Sequence, residues 1–254
     1  MSKKIFIQFF KLQNQKKISY QNIFNKILEL IELLLAMSGY NIRNADFFRT
    51  VIMLFSITFS IYYIPNYQSL NFKLASFYFL LFEVAYMWTV CSILSKNGYS
   101  TIMISKYGED KAYRTYVTIL GFLFFHNAFS LGYVASSTPK TLGFYSPYLI
   151  YFIAPLFATG TIIKIWSAYV VKIDVYYWKD MFLNRKICEF VESGPYKILS
   201  NPMYGVGQLQ GYAIALYYES LWGLLAAFIN QFMVFAFYYF VEKKFIYRTY
   251  ILNK

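Results

Sequence analysis

The sequence predicts an all-α fold: a polytopic membrane helical bundle of about six transmembrane helices, opened by an N-terminal amphipathic helix and closed by a C-terminal helical hairpin. Three observations carry that expectation. Hydrophobic residues make up 58% of the 254 residues and charged ones only 14%, far from the balance of soluble domains. Apolar runs recur at the roughly 20 residues that a bilayer-crossing helix needs. Basic residues crowd alternate loops and leave the others nearly bare, which is the positive-inside pattern.

Three parts follow in chain order. Residues 1–46 are a basic segment. Its start, "MSKKIFIQFFKLQNQKK", has no acidic residue before Glu29, a charge balance compatible with a mitochondrial address, although Arg is missing and Ser is scarce. Its apolar run is too short for a secretory signal. From Tyr20 to Met37 the apolar residues Ile23, Ile27, Leu30 and Leu34 share one helical face, with Lys26 and Glu29 off it. Lys26, Glu29 and Glu32 within the segment favour a helix lying along the membrane surface over a seventh span.

Residues 47–146 hold the first three spans, expected at Phe48–Ile64, Leu74–Leu94 and Thr115–Ala135. Residues 147–254 hold the rest. A span is expected at Pro147–Val171, and the apolar block Gly205–Val241, too long for one helix and interrupted at Glu219-Ser220, reads as a tight hairpin with a short first arm.

The charge of +12 follows this topology. Lys96, Lys106, Lys111 and Arg114 follow the second span, Lys140 alone follows the third, five basic residues follow the fourth, and the hairpin tip has none. The excess therefore reports orientation and contact with anionic headgroups, and no nucleic-acid partner is expected. Both termini are expected on the cytosolic or matrix side of an integral membrane protein of the endoplasmic reticulum or mitochondrial inner membrane.

An ionisable residue at bilayer depth is a candidate for function. Glu83, His126, Lys164 and Glu219 qualify. Glu83 is central in its span and is expected to face other helices and to find a partner there, in a structural pair or at a ligand. For His126, beside Asn127, interhelical hydrogen bonding is the plainer expectation, since a single histidine builds no His-based metal cluster. Lys164 stands near the middle of its span with a stem long enough to reach an interface. Glu219 falls at the hairpin tip, where a solvated turn accounts for it. Cys91 and Cys188 suggest neither a disulfide nor a metal site. No Walker loop, GxGxxG, HExxH or GxSxG is present, so an active site, if there is one, must be built at the membrane edge.

"GPYKILSNPMYGVG", Gly194 to Gly207, lies at such an edge. Asn201 before Pro202 is the arrangement of a helix start, Asn as N-cap and Pro as first helical residue. The exposed N–H groups there favour a carboxylate or a phosphate, although capping alone also accounts for the pair. Arms from Pro202 to Tyr218 and from Ser220 to Val241 rise roughly 25 Å and return roughly 30 Å. That brings Glu242 back beside the helix start, where the two could hold a small zwitterion.

These residues resemble a known family. "GPYKILSNPMY", a short-turn hairpin and "FVEKKFIYRTY" (Phe240–Tyr250) are similar to the carboxy-terminal signature of the integral membrane methyltransferases that include phosphatidylethanolamine N-methyltransferase and isoprenylcysteine carboxyl methyltransferase. The Asn-Pro-Met-Tyr form resembles the phospholipid branch; the protein-methylating branch usually carries Arg-His-Pro there. "ATGTIIKIWSAYVVKID" (Ala158–Asp174) resembles the family's glycine-containing segment, so that the likeness covers Pro155 to Tyr250. It implies transfer of a methyl group from S-adenosylmethionine to the amine of a phospholipid headgroup, with membrane phospholipids as partners. By the same resemblance Gly160 lies near the cofactor, Gly194, Pro195, Tyr196, Asn201, Pro202 and Tyr204 form its wall, and Glu242 contacts it. Tyr204, Glu242 or water would accept the amine proton. The family often has two consecutive Glu where this chain has Val241-Glu242, and a second glycine where Phe157 stands. These departures carry the alternative: a catalytically inactive, methyltransferase-like subunit of a larger, mitochondrial membrane complex.

Overall fold

The structure, a computed structural model, describes residues 24–40, 47–63, 71–143 and 147–252. The described residues are helices and turns, with no strand. The basic stretch considered as a mitochondrial address lies outside them. Helix α1 covers residues 24–37, followed by α2 (Phe47–Tyr63), α3 (Phe72–Leu94), α4 (Tyr99–Tyr107), α5 (Glu109–Ser137), α6 (Ile150–Tyr176), the single turn α7 (Lys179–Phe182), α8 (Leu209–Tyr217) and α9 (Leu221–Phe237). Past Phe237 the chain stays helical through a π turn at Tyr238–Glu242, an α turn at Lys243–Ile246 and a second π turn at Tyr247–Ile251.

The all-α membrane bundle is as expected, but the count of six spans is not reached among the described residues. Four helices are long and apolar enough to cross a membrane: Phe72–Leu94, Glu109–Ser137, Ile150–Phe182 and Leu221–Ile251. Helix α2 falls short, its apolar helical stretch running only over Phe47–Phe59. The first arm of the hairpin is shorter still. It opens at Leu209 rather than Pro202 and has nine residues, about 14 Å of rise against a hydrocarbon core of about 30 Å. The reason lies in the glycines. Gly205 adopts φ −89°, ψ −99°, and Gly207 presses against the Pro202 carbonyl and the Lys164 stem, so the chain turns where a helix would need continuous helical dihedrals. Asn201 and Pro202 therefore sit in a turn, closed by Gly205 N–H donating to the Asn201 carbonyl (2.9 Å) and Gly207 N–H to the Pro202 carbonyl (2.8 Å); they are not an N-cap and a first helical residue.

Buried polar groups tie the spans together. The Nδ2 groups of Asn127 on α5 and Asn230 on α9 both donate to Glu83 Oε2 on α3, at 2.7 and 2.8 Å, and Asn230 also donates to Asn127 Oδ1 at 2.9 Å. The expected partner of Glu83 is thus a pair of amides. His126 bonds through Nδ1 to the Tyr78 hydroxyl and through Nε2 to Ser56 (3.2 Å), joining α2, α3 and α5 as the interhelical reading expects.

Helix α1 is anchored at its end. The Tyr177 hydroxyl donates to the Met37 carbonyl at 2.9 Å, and Gly39, at φ +80°, meets Gly121 so closely that a Cβ on Gly121 would lie 2.3 Å from the Gly39 Cα. Of the apolar face expected from the sequence, Ile27, Leu30 and Leu34 are exposed on α1, as are Phe24, Leu28 and Ile31 beside it; Ile23 lies outside the described residues.

At the hairpin tip, Glu219 has φ +51° and only 8% of its surface exposed. The solvated turn expected for it is overturned, because the segment after α5 folds over the tip. Lys140 and Leu142 N–H groups donate to the Tyr218 and Glu219 carbonyls at 3.0 and 2.9 Å. Ser220 caps α9 by accepting from Gly223 N–H (2.9 Å) and shares a 2.7 Å hydrogen bond with Thr138. Ser220→Ala should lower stability by about 1–2 kcal/mol, the worth of an N-cap with a second buried partner; thermal unfolding in detergent checks it, with Thr141→Ala, whose hydroxyl accepts from Leu221 N–H at the exposed side of the tip, as a milder control.

Candidate functional site

The C-terminal end of α6, the Gly194–Gly207 segment and the last turns of the α9 rod converge on Glu242. Trp178, in the left-handed region at φ +51°, lies between Tyr177, the C-cap of α6, and α7. A bulky residue there is uncommon and costs of order 1 kcal/mol or more. The turn aims its indole at the rod: Nε1–H donates to Glu242 Oε1 at 3.0 Å, and the ring packs edge-on against Phe237. The π turn over Tyr238–Glu242 inserts one residue and so shifts the following side chains by about 100° around the rod. At its last residue, Glu242 Oε2 accepts from the Tyr204 hydroxyl at 2.8 Å.

The two residues expected to carry the chemistry are therefore hydrogen-bonded to each other. Both carboxylate oxygens of Glu242 are held by donors, which fixes its direction. The rod is fixed at its C-terminal end as well, where the Tyr250 hydroxyl bonds the Asp180 carboxylate and Arg248 Nη2 donates to Asn184 Oδ1 at 3.2 Å. Tyr204 is positioned by α9: Gln231 Nε2 donates to the Tyr204 and Gly205 carbonyls at 3.0 and 3.3 Å, while Gln231 Oε1 accepts from the Tyr212 hydroxyl at 2.6 Å. Burial, and then the neighbouring Glu242 carboxylate, push the Tyr204 phenol well above its ordinary value, and burial and Glu242 push Tyr196 upward too. Both phenols stay protonated in the neutral range, so Tyr204 serves as a donor.

The remaining expected residues stand behind this pair. Gly194 has φ +59°, and a Cβ there would meet Val170 at 2.8 Å and the Trp166 indole at 3.2 Å; with the fully buried Pro195 it seats the segment on α6. Pro202 is also fully buried. Gly160 lies where α6 crosses α8, with Gln210 N only 2.7 Å from where its Cβ would be.

A cavity of about 720 Å³ opens between α5, α6, α8 and the α9 rod, within the size range of small-molecule sites. Tyr204 and Trp178 line one end, Tyr217 and Tyr218 at the hairpin tip the other, and Phe157, standing where the resemblance expects a second glycine, lies along it. Asn127, Asn230 and Lys164 are also in its wall, so three residues of the bundle interior face this space. Gly160, Gly194, Pro195, Tyr196, Asn201, Pro202 and Glu242 are outside the lining. Both cysteines are free, and the described residues hold no cluster of three or more His, Cys, Asp or Glu that could bind a metal.

Trp178, Gln231 and Asn230 were not singled out by the sequence. Asn230-Gln231 had a signal: two amides in the middle of the apolar run "AAFINQF", where polar side chains are costly unless paired. Trp178 had none, because its role depends on a left-handed turn.

Residues 149–252 match the family model described as phospholipid methyltransferase. The match runs from α6 to the end of the rod, includes every residue gathered at Glu242, and bears out the resemblance over that stretch. No curated protein and no solved structure gives a match. With its apolar helices, the chain is an integral membrane protein whose residues 149–252 are similar to the phospholipid methyltransferase family.

Proposed function

We propose that this domain binds S-adenosylmethionine and transfers its methyl group to the amine of a phospholipid headgroup. The observation that carries the proposal is the Glu242 carboxylate, locked by Tyr204 and Trp178, which line the end of an apolar cavity in front of it. A fixed carboxylate beside electron-rich rings is a setting for a cation, and both a sulfonium and an alkylammonium are cations. The donor set therefore fits the methyl donor, with Glu242, Tyr204 and Trp178 as the residues that would hold it. The bound cofactor supplies a methyl group on a positively charged sulfur.

The chain's own residues do the rest. Gly194, Pro195 and Pro202 fix the segment on α6, so that Tyr204 meets Glu242 without rearrangement, the kind of positioning on which displacement reactions depend. The apolar wall excludes water and disfavours a charged amine, so the headgroup nitrogen is held neutral, as a nucleophile must be. Its proton passes to Glu242 or to water, since the Tyr204 phenol is itself held protonated. The lipid reaches the cavity sideways between helices, and the donor comes from the inner aqueous face, cytosolic or matrix, where the basic loops lie. The alternative of an inactive subunit is not favoured by the family match.

Incubating the purified protein with methyl-labelled S-adenosylmethionine and phosphatidylethanolamine tests the proposal. Label in the phospholipid fraction, lost in Glu242→Ala, is the expected outcome; unlabelled lipid from a folded protein that binds the donor would remove the proposed acceptor.

A further inference from the structure

We infer that Lys164 is the anion anchor of the cavity and takes the phosphodiester of a bound phospholipid, fixing where the headgroup lies. The inference rests on the lipid-methylating function just proposed. Lys164 is deep in α6, fourteen positions past its start, where a cationic side chain is costly unless it has work to do. Its ammonium lies over the Phe124 ring at 4.9 Å. Among the described residues no ion pair to a carboxylate is seen for it, whereas Lys179 pairs with Asp174 and Arg185 with Glu109, and no Asp or Glu lines the cavity. Gln208 and Gln210, also in the wall, add amide donors on the facing segment. The cavity therefore has a single cation, neighbouring amide donors and otherwise largely apolar walls, which suits an anionic oxygen group on an apolar body.

Order along the cavity selects the phosphodiester. Lys164 packs its stem against Gly207, where an added Cβ would lie 3.5 Å from the Lys164 Cβ, three residues beyond Tyr204 on the way into α8 and towards the hairpin tip. The Glu242 carboxylate stands behind the Tyr204 hydroxyl, outside the lining; from Tyr204 inwards the wall itself offers a cation, then apolar residues at Phe157, Ile214 and Phe129. A phospholipid with an amine headgroup presents the same sequence: ammonium or amine, phosphodiester, acyl chains. The carboxylate of the methyl donor has the same charge, but it belongs to a soluble molecule that has no acyl chain to place along the remaining wall.

The test is equilibrium binding to detergent-purified full-length protein, of short-chain phosphatidylethanolamine, of the diacylglycerol with the same chains, and of S-adenosylmethionine. Variants are Lys164→Met, which keeps the stem without the charge, and Lys164→Arg. Loss of a charge-assisted contact should weaken phosphatidylethanolamine binding about tenfold or more in Lys164→Met, leave diacylglycerol and S-adenosylmethionine unchanged, and be largely restored in Lys164→Arg. Unchanged phosphatidylethanolamine binding in Lys164→Met would overturn the inference. So would an equal fall for both lipids, which reports a collapsed cavity, or a fall for S-adenosylmethionine alone, which assigns the lysine to the donor's carboxylate. Because lipid binding is read without turnover, failure of the methyl-transfer proposal leaves this test standing, and the reverse holds too.

Discussion

Replacing Glu242 by Gln should lower kcat/KM for methyl transfer by at least about 100-fold while leaving the protein folded. The substitution keeps the shape of the side chain and removes its charge. It converts two charge-assisted hydrogen bonds, from Trp178 at 3.0 Å and Tyr204 at 2.8 Å, into neutral ones, with the bond to Tyr204 reversed so that the amide donates to the phenol oxygen. Each charge-assisted bond is worth about 1.5–3 kcal/mol, and each 1.4 kcal/mol is tenfold in rate. The attraction for a cationic donor is lost in addition. Tyr204→Phe and Trp178→Phe, which remove one donor each and keep the charge, should cost about tenfold apiece and weaken S-adenosylmethionine binding more than they change lipid binding. Initial rates in mixed micelles, with both substrates varied, separate these effects. A Glu242→Gln protein with normal rates would show that the carboxylate only ties the rod to the turn.

The second large effect is on stability. Asn230→Leu should destabilise the bundle by about 2–4 kcal/mol, because it removes a donor from the buried Glu83 carboxyl and the partner of Asn127 Oδ1 at once. Glu83 is 2% exposed and its Oε1 atom has no hydrogen-bond partner, so the group is already under-satisfied and tolerates no further loss. Glu83→Leu together with Asn230→Leu should cost less than the sum of the single changes, since the apolar pair leaves fewer orphaned groups. Unfolding titrations of the four proteins in a double-mutant cycle give the coupling. Additive losses would mean that the amides and the carboxyl act independently.

The membrane bundle was legible because hydropathy and charge alternation are properties of whole segments and survive local error. The start of the hairpin was not. Asn-Pro signals a helix start and a turn equally well, and the decision fell to Gly205 and Gly207, whose lack of a side chain lets the turn pack against Lys164 and Pro202. The first arm lost its opening residues as a result. Glu219 was misjudged for a different reason: burial of a turn depends on what folds over it, and residues 138–142 are remote in sequence. Tyr204 was reached only through the family resemblance, whereas the return of Glu242 to the neighbourhood of Asn201 and Pro202 could be read from helix rise, since two arms that go out and return bring their ends together. What fixes the geometry there could not, because the indole of Trp178 arrives by a left-handed turn and Glu242 by a π turn, neither of which leaves a mark in the hydrophobic period. Asn230 could have been found by treating buried amides as seriously as buried charges.

Equilibrium binding of labelled S-adenosylmethionine to the purified protein, beside Glu242→Gln, tests the central claim most directly. Saturable binding that the substitution weakens by about 100-fold is the predicted result. No binding at millimolar ligand, by a protein shown to be folded, would contradict it and leave the Glu242 site without its proposed donor.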